Sequence, residues 1–235
     1  MKIILDKKPK KPTIIEGFPG FGLVSTIACE FLLDHLETEQ IGKIIFEEMA
    51  PMVAIHNNGV VDPLGIFYNK KYNLVIVHAV TASQGNEWKL ADVIVDLAKK
   101  LEAKEIISLE GVGSGEDIKE STTFFYSSEK KKVQKFKEIG VKPLKEGIIM
   151  GVTGALLVKE GVPISCIFAE AHTNLPDSKA TAKIIETLDK YLGLKVDYKP
   201  LLEQAVKFED KLKGLIEKSQ SAQDMSDKKR LSYVG

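Results

Sequence analysis

The sequence predicts an α/β fold, because short apolar strands alternate with longer helical patterns and glycine-rich turns follow several of the strands. The first strand, Thr13 to Ile15, enters a turn of Gly and Pro residues and then a proline-free apolar helix that ends near Leu36. A second strand, at 106–109, again precedes a glycine-rich turn. These repeated units of strand, loop and helix predict one α/β domain.

The remaining elements follow from the spacing of apolar residues. Residues 60–68 and 72–80 are predicted as an antiparallel pair around a turn at 69–71. Leu74 to Val77 is continuously apolar, which is typical of a strand covered on both faces. Further strands are predicted at 41–46, 51–55, 122–126 and 164–169, and helices at 87–101, 130–139, 151–159 and from Asp177 or Ser178 to Leu192. In helix 87–101, which Asn86 precedes as a predicted N-cap, one apolar stripe faces the sheet.

The composition changes at Gly193, so we divide the chain into a core domain at 1–192, an amphipathic helical segment at 193–218 and a mobile tail at 219–235. The helical segment has one narrow apolar stripe, formed by Leu201, Ala205, Phe208, Leu212 and Leu215. Two interpretations remain open: the stripe packs on its own domain, or it contacts another subunit. The tail is polar until its last residues, 231–235, which are again apolar and aromatic.

Charge and cysteine usage exclude several classes of function. The 33 basic residues balance 33 acidic ones, which argues against nucleic acid or a membrane surface as the main partner. Arg230 is the sole arginine, and abundant Lys and Glu are typical of proteins from hot environments. Cys29 and Cys166 are predicted as core residues. With no apolar run of membrane-spanning length, we expect a cytoplasmic protein without disulfide, metal or cofactor.

The loop after the first strand, Gly17-Phe18-Pro19-Gly20-Phe21-Gly22, is the most constrained part of the sequence. Such a loop lies at the carboxyl end of a strand, where outward N–H groups suit an anion or the backbone of a partner. The spacing of Gly17, Gly20 and Gly22 matches neither a P-loop nor a dinucleotide fingerprint. We therefore favour a structural or partner-binding loop, in which Phe18 and Phe21 contact a partner, over a nucleotide site.

This loop also begins a resemblance to a known family. Glu16 to Val24 resembles the opening of the proteasome assembly chaperone 2 family in its archaeal branch, and the likeness continues in 110–113, 151–157 and 169–172. The resemblance implies a single three-layer domain similar to nucleoside phosphorylases and hydrolases, with a mainly parallel central sheet. It also implies an ATP-independent role in assembling or binding the 20S proteasome, without catalysis.

The resemblance further implies that the C-terminus binds the proteasome. Activators and some assembly chaperones insert a terminal hydrophobic-tyrosine-any tripeptide between α-ring subunits. Here Leu231, Tyr233, Val234 and Gly235 are the corresponding candidates, although Tyr233 is third from the end and the motif has tyrosine as the penultimate residue. The expected partners are the α-ring or free α subunits, and the protein itself is expected to form a homo-oligomer or a complex with a paralogue.

An enzyme is the alternative hypothesis. Glu16, Glu110 and Glu170 each follow an apolar strand, and His172 comes shortly after the last of them. If these strands are parallel, the four side chains meet with Gly111 and Gly113 at the edge where α/β proteins bind ligands, and support acid/base chemistry or hold a divalent metal. The rival interpretation, which we favour, is that each glutamate accepts hydrogen bonds from backbone N–H groups of its own glycine loop. His78, at a strand end, is predicted to be a core residue.

Overall fold

The computed structural model describes residues 1–48, 53–56, 59–81, 85–113, 121–171, 176–203, 211, 213–214 and 217–218. Within them the chain forms β1 (Lys2–Leu5), β2 (Thr13–Gly17), α1 (Val24–His35), β3 (Glu39–Ile45), β4 (Ala54–His56), β5 (Gly59–Val61), β6 (Leu64–Asn69), β7 (Leu74–Ala79), α2 (Glu87–Lys100), β8 (Glu105–Gly113), β9 (Thr123–Ser127), α3 (Lys130–Glu138), β10 (Lys142–Pro143), α4 (Gly151–Leu157), β11 (Ile164–Ala171), α5 (Ser178–Leu192) and α6 (Lys199–Glu203). A 3-10 turn at Phe21–Leu23 joins β2 to α1.

Nine of these strands form one central sheet in the order β1-β3-β6-β7-β2-β8-β11-β9-β10. Its centre, β7-β2-β8-β11, is parallel, as predicted for an α/β fold. Antiparallel pairs lie on both sides of this centre. The short turn after β6 returns the chain directly, so β6 and β7 pair antiparallel around Asn69 as the sequence indicates.

Two apolar cores, one on each face of the sheet, give the predicted three layers. On one face α1, α3 and α5 pack against the sheet, and on the other face α2 and α4 do so. Strand side chains alternate between the cores: Ile14 belongs to the α2 side and Ile15 to the α1 side. The stripe predicted for α2 is buried throughout, from Leu90 to Leu101.

One predicted strand is divided in the structure, and two strands, β1 and β10, were not predicted. The strand predicted at 60–68 is divided into β5 and β6 around Pro63, since proline lacks the N–H that a ladder requires. β5 pairs with β4 as a separate two-stranded sheet. β1 was not predicted, because it lies at the sheet edge, is only partly buried and includes the charged Lys2.

The described part of the C-terminal segment packs on its own domain. Leu201 in α6 is buried in the core that contains α1 and α5. Further on, Lys211 Nζ lies 2.9 Å from Glu30 Oε1 of α1. At these two positions the own-domain interpretation holds. The other stripe residues, Ala205, Phe208, Leu212 and Leu215, and the tail at 219–235 lie outside the described residues.

Candidate functional site

The three predicted glutamates lie on neighbouring parallel strands, β2, β8 and β11, and point to the α2 side of the sheet. The strand register places them at different depths. Glu16 is opposite Ser108, whereas Glu170 is opposite Val112, four residues further along β8. Glu110 lies between these two levels. The carboxylates therefore form a staggered line from the interior to the edge of the sheet.

Glu16 is the innermost of the three and is fully buried. Neither carboxylate oxygen has a hydrogen-bond partner among the described residues. Burial raises the pKa of Glu16 to about 8, and nearby Glu110 adds to the rise. The Ser108 hydroxyl and the Phe18 backbone act in the opposite direction and lower this pKa, although neither forms a hydrogen bond of normal geometry with Glu16. Glu16 is therefore mostly protonated at neutral pH.

Glu110 is held by a hydrogen-bonded chain that links β8 to α4. The Thr153 hydroxyl donates its hydrogen to Glu110 Oε2 at 2.8 Å. Because that hydrogen is used, Thr153 Oγ1 accepts a hydrogen bond from Ser108 Oγ at 2.9 Å. Burial raises the pKa of Glu110 to about 7, while Thr153 and the backbone amides of Gly111 and Phe21 lower it. These contacts agree in part with the favoured interpretation that loop amides satisfy the glutamates.

The side chain and the backbone of Glu170 both form hydrogen bonds with Thr122, which directly precedes the antiparallel strand β9. Its Oε2 accepts from the Thr122 N–H at 3.3 Å, and its own N–H donates to the Thr122 carbonyl at 3.0 Å. His172, predicted to join this edge, lies outside the described residues. The site that can be described therefore consists of carboxyl groups without an adjacent imidazole.

The glycines of both loops provide space for other parts of the same chain. A Cβ at Gly17 would lie less than 3.0 Å from the Ser25 carbonyl oxygen, and one at Gly20 equally close to the Glu110 carboxylate. A Cβ at Gly111 would collide with the Phe21 carbonyl oxygen. Gly113 faces the Phe21 ring, and Gly22 has a φ of +64°. The chain itself fills the space that a phosphate cradle would need.

Phe18 differs from the expectation of a partner-binding residue. Its side chain is only 7% exposed and belongs to the core on the α2 side. The Ser25 hydroxyl donates to the Phe18 carbonyl at 2.6 Å, which fixes the loop on α1. Phe21 is only partly buried and packs against the other core. Of the two rings, Phe21 is therefore the better placed to contact a partner.

A cavity of about 1140 Å³, which we call the edge cavity, lies above the glutamates. Its walls include the first glycine loop, the end of β8, Phe124 and the chain between β10 and α4. We call residues 144–150 of that chain the rim segment. This segment has neither helical nor strand periodicity in the sequence, so no role could be predicted for it; its one signal is the apolar run Ile148-Ile149-Met150 after Gly147.

The two cysteines and His78 are core residues, as predicted. Cys29 and Cys166 are fully buried, and burial followed by the charge of Glu16 raises both thiol pKa values. His78 Nε2 lies 3.2 Å from Glu30 Oε2, and burial lowers the His78 pKa. No group of three or more potential metal ligands, and no helix long and apolar enough to cross a bilayer, occurs in the part of the chain described above.

Comparison with known proteins identifies the family. The model of the PAC2 family matches residues 14–216, which is most of the chain. The chain belongs to the PAC2 family. This confirms the resemblance that starts in the first glycine loop.

The chain is also similar to solved structures and to a curated sequence relative. Pyrococcus furiosus PbaA, described as an archaeal homolog of proteasome-assembly chaperone, is 30% identical with a TM-score of 0.85, over 94% of this chain and 98% of PbaA. P. furiosus PbaB, described as an archaeal proteasome activator, is 23% identical with a TM-score of 0.75, over 91% of this chain and 98% of PbaB, and shares the fold. An uncharacterized protein of Methanocaldococcus jannaschii is 26% identical over 96% of this chain and 94% of its own length.

These similarities confirm the predicted fold, and membership of the PAC2 family confirms the prediction of a protein that is not an enzyme. PbaA is described as an archaeal homolog of proteasome-assembly chaperone, and PbaB shares the fold. The geometry agrees as well: Glu16 is sealed from solvent and Glu110 is bound by its own protein. Glu16 is thus best understood as internal structure beneath the edge cavity, whereas Glu110 and Glu170 line that cavity.

Proposed function

We propose that this chain is an ATP-independent proteasome assembly chaperone or adaptor, which acts in the cytoplasm by binding 20S α subunits, free or in the α-ring, chiefly through its C-terminal tail. The observation that carries the proposal is the similarity to PbaA, at 30% identity over 94% of the chain. In this proposal residues 1–192 form the body, 193–218 dock on it and 219–235 reach the partner.

Anchoring of the C-terminal segment supports the role of the tail. Leu201 is buried in the body, and the ion pair of Lys211 with Glu30 fixes a later point. The tail at 219–235 has 17 residues. At ~3.3 Å per residue they span on the order of 55 Å when fully extended. A terminal segment fixed at its base therefore has the reach to bring Leu231 and Tyr233 to a pocket on another protein.

We predict that the tail determines binding of α subunits. A chain that ends at Lys229 should bind free α subunits and the 20S particle at least ~10-fold more weakly than the full chain, because truncation removes the Leu231 and Tyr233 anchors. Immobilised full-length and shortened chains, with purified α subunits in solution, give the two dissociation constants.

Substitutions of adjacent tail residues provide the control. Tyr233→Ala should reproduce most of the loss, whereas Ser232→Ala should leave binding within a factor of two of the full chain, since ring burial dominates such contacts. Equal binding by the full chain and the chain ending at Lys229 would exclude the tail mechanism. No binding of α subunits by the full chain would exclude the proposed function itself.

Self-association is the second part of the proposal. Ile55 is 76% exposed on the two-stranded sheet β4-β5, and Val53 and Val60 are exposed beside it. Apolar side chains that are grouped and exposed on a two-stranded sheet are typical of a protein interface. We predict that the full chain is a homo-oligomer and that Ile55→Glu lowers its mass in sedimentation equilibrium, while Val158→Glu, on an exposed residue after α4, does not. A monomeric full chain contradicts this prediction.

A further inference from the structure

The rim segment belongs to no helix or strand and exposes large apolar side chains. Ile148 is 92% exposed and Met150 is 78% exposed. The ends of the segment are fixed, since the Leu144 N–H donates to the Phe125 carbonyl and the Met150 carbonyl accepts from the Gly154 N–H. Between those ends, residues 145–149 make no hydrogen bond with any described residue. The segment thus presents free backbone groups together with apolar side chains.

The rim segment lies at the edge of the sheet, where its free backbone groups can pair with another strand. The rim segment continues directly from β10, which is the last strand in the described sheet order and pairs with β9 alone. An unpaired edge is a template for an incoming strand, in which backbone hydrogen bonds supply affinity and alternate side chains enter pockets. Phe124, on the neighbouring strand β9, lines the edge cavity beside this edge.

The charges around the edge cavity indicate which side chains an incoming strand should carry. Four glutamates line the cavity, namely Glu87, Glu110, Glu146 and Glu170, against two lysines, Lys142 and Lys145. None of these six groups forms an ion pair with a described residue of opposite charge. Burial raises the pKa of Glu110 to about 7, so this group is only partly ionised at neutral pH. The other three glutamates still outnumber the two lysines, and this excess of carboxyl groups complements a lysine or arginine. The apolar walls complement aliphatic or aromatic side chains.

From this geometry we infer that the edge cavity and the rim segment bind an extended segment of a proteasome subunit that has apolar side chains and at least one lysine or arginine. The cavity has a volume of about 1140 Å³ and lies beside an unpaired sheet edge, which favours an extended peptide. The inference rests on the proposed function and adds a second contact to the tail. Two contacts on one partner bind more tightly than either alone because the second is intramolecular.

The test uses full-length chains and free α subunits. The double substitution Ile148→Glu and Met150→Glu should weaken binding at least ~10-fold, because both side chains are proposed to be buried by the partner. Val158→Glu, which puts the same charge on a side chain that is 64% exposed and does not line the cavity, should leave binding unchanged. Thermal unfolding of each variant establishes that the body is folded.

The sign of the charge effect tests the chemistry of the occupant. Glu146→Lys should weaken binding of α subunits, and Lys145→Glu on the adjacent residue should strengthen it, each by ~2- to 10-fold and more at low salt. The reverse signs would overturn the inference. So would binding by the full chain that the rim substitutions do not affect, which would leave the proposed function intact.

Two further outcomes distinguish a failure of this inference from a failure of the proposed function. If the full chain binds no α subunit, both the proposed function and this inference are wrong. If the chain that ends at Lys229 binds more tightly than the full chain, the tail itself occupies the edge cavity, and the partner assigned here is wrong.

Discussion

Glu16→Gln is expected to stabilise the protein above neutral pH. The native Glu16 pKa of about 8 lies above the ordinary value of 4.5, so between these values the unfolded chain loses a proton that the folded chain keeps. Stability is therefore full below pH 4.5 and falls as pH rises toward 8, by an amount on the order of 5 kcal/mol at most. The glutamine side chain is neutral throughout and removes this dependence.

Urea unfolding between pH 4.5 and 9 measures the effect. The difference between variant and parent should be small at pH 4.5 and should grow steadily to pH 8. Because the pKa of Glu110 is also raised, to about 7, the stability of the variant should still fall as pH rises, but less steeply than that of the parent.

Glu186 provides a control of opposite sign. Its pKa is lowered, mainly by the Lys190 hydrogen bond, so Glu186→Gln should cost less than ~1 kcal/mol above pH 4.5 and nothing in strong acid. If Glu16→Gln and its parent lose stability in parallel from pH 5 to 8, Glu16 does not hold its proton in the folded protein.

Gly111→Ala is expected to be the most damaging small substitution in the site. Its new methyl group would lie less than 3.0 Å from the Phe21 carbonyl oxygen, and a backbone atom cannot move aside as a flexible side chain can. Either β8 or the first glycine loop must shift, at a cost of about 3 kcal/mol. Urea denaturation at pH 6 measures the loss, and the Glu110 hydrogen bonds should be disturbed with it.

Gly113→Ala is the matched control in the same strand. The nearest atom to its methyl group would be in the Phe21 ring, 3.3 Å away, and a ring can rotate slightly. We expect a change below ~1 kcal/mol. Equal destabilisation by the two alanines would mean that the close approach of the Phe21 backbone is not what makes glycine necessary at position 111.

Periodic elements could be predicted from the sequence because their signals are local. The apolar stripe of α2 and the continuous run of β7 each require burial whatever the neighbours are, and both are buried as expected. Asp177 was one of two candidates for the start of the last core helix, and its side chain does accept from the Ala180 N–H. The convergence of three glutamates followed from parallel strand order alone.

The roles of single residues depended on contacts between distant parts of the chain. Glu16 and Glu110 follow similar strands, yet one has no hydrogen-bond partner among the described residues and the other is bound by Thr153, 43 positions away. Phe18 and Phe21 belong to one loop but enter different environments. The sequence also gave no sign that buried Glu105 accepts hydrogen bonds from Ser165 and Tyr191. Such contacts are set by how distant elements pack.

The burial of both thiols has a practical consequence for spectroscopy of this protein. Because Cys29 and Cys166 lack solvent access and burial keeps their thiols protonated, maleimides should not react with the folded chain. One engineered cysteine at Ser232 would then be the sole labelled site without removal of either native thiol. A donor dye there, with the acceptor on an α subunit, would report the arrival of the tail by energy transfer.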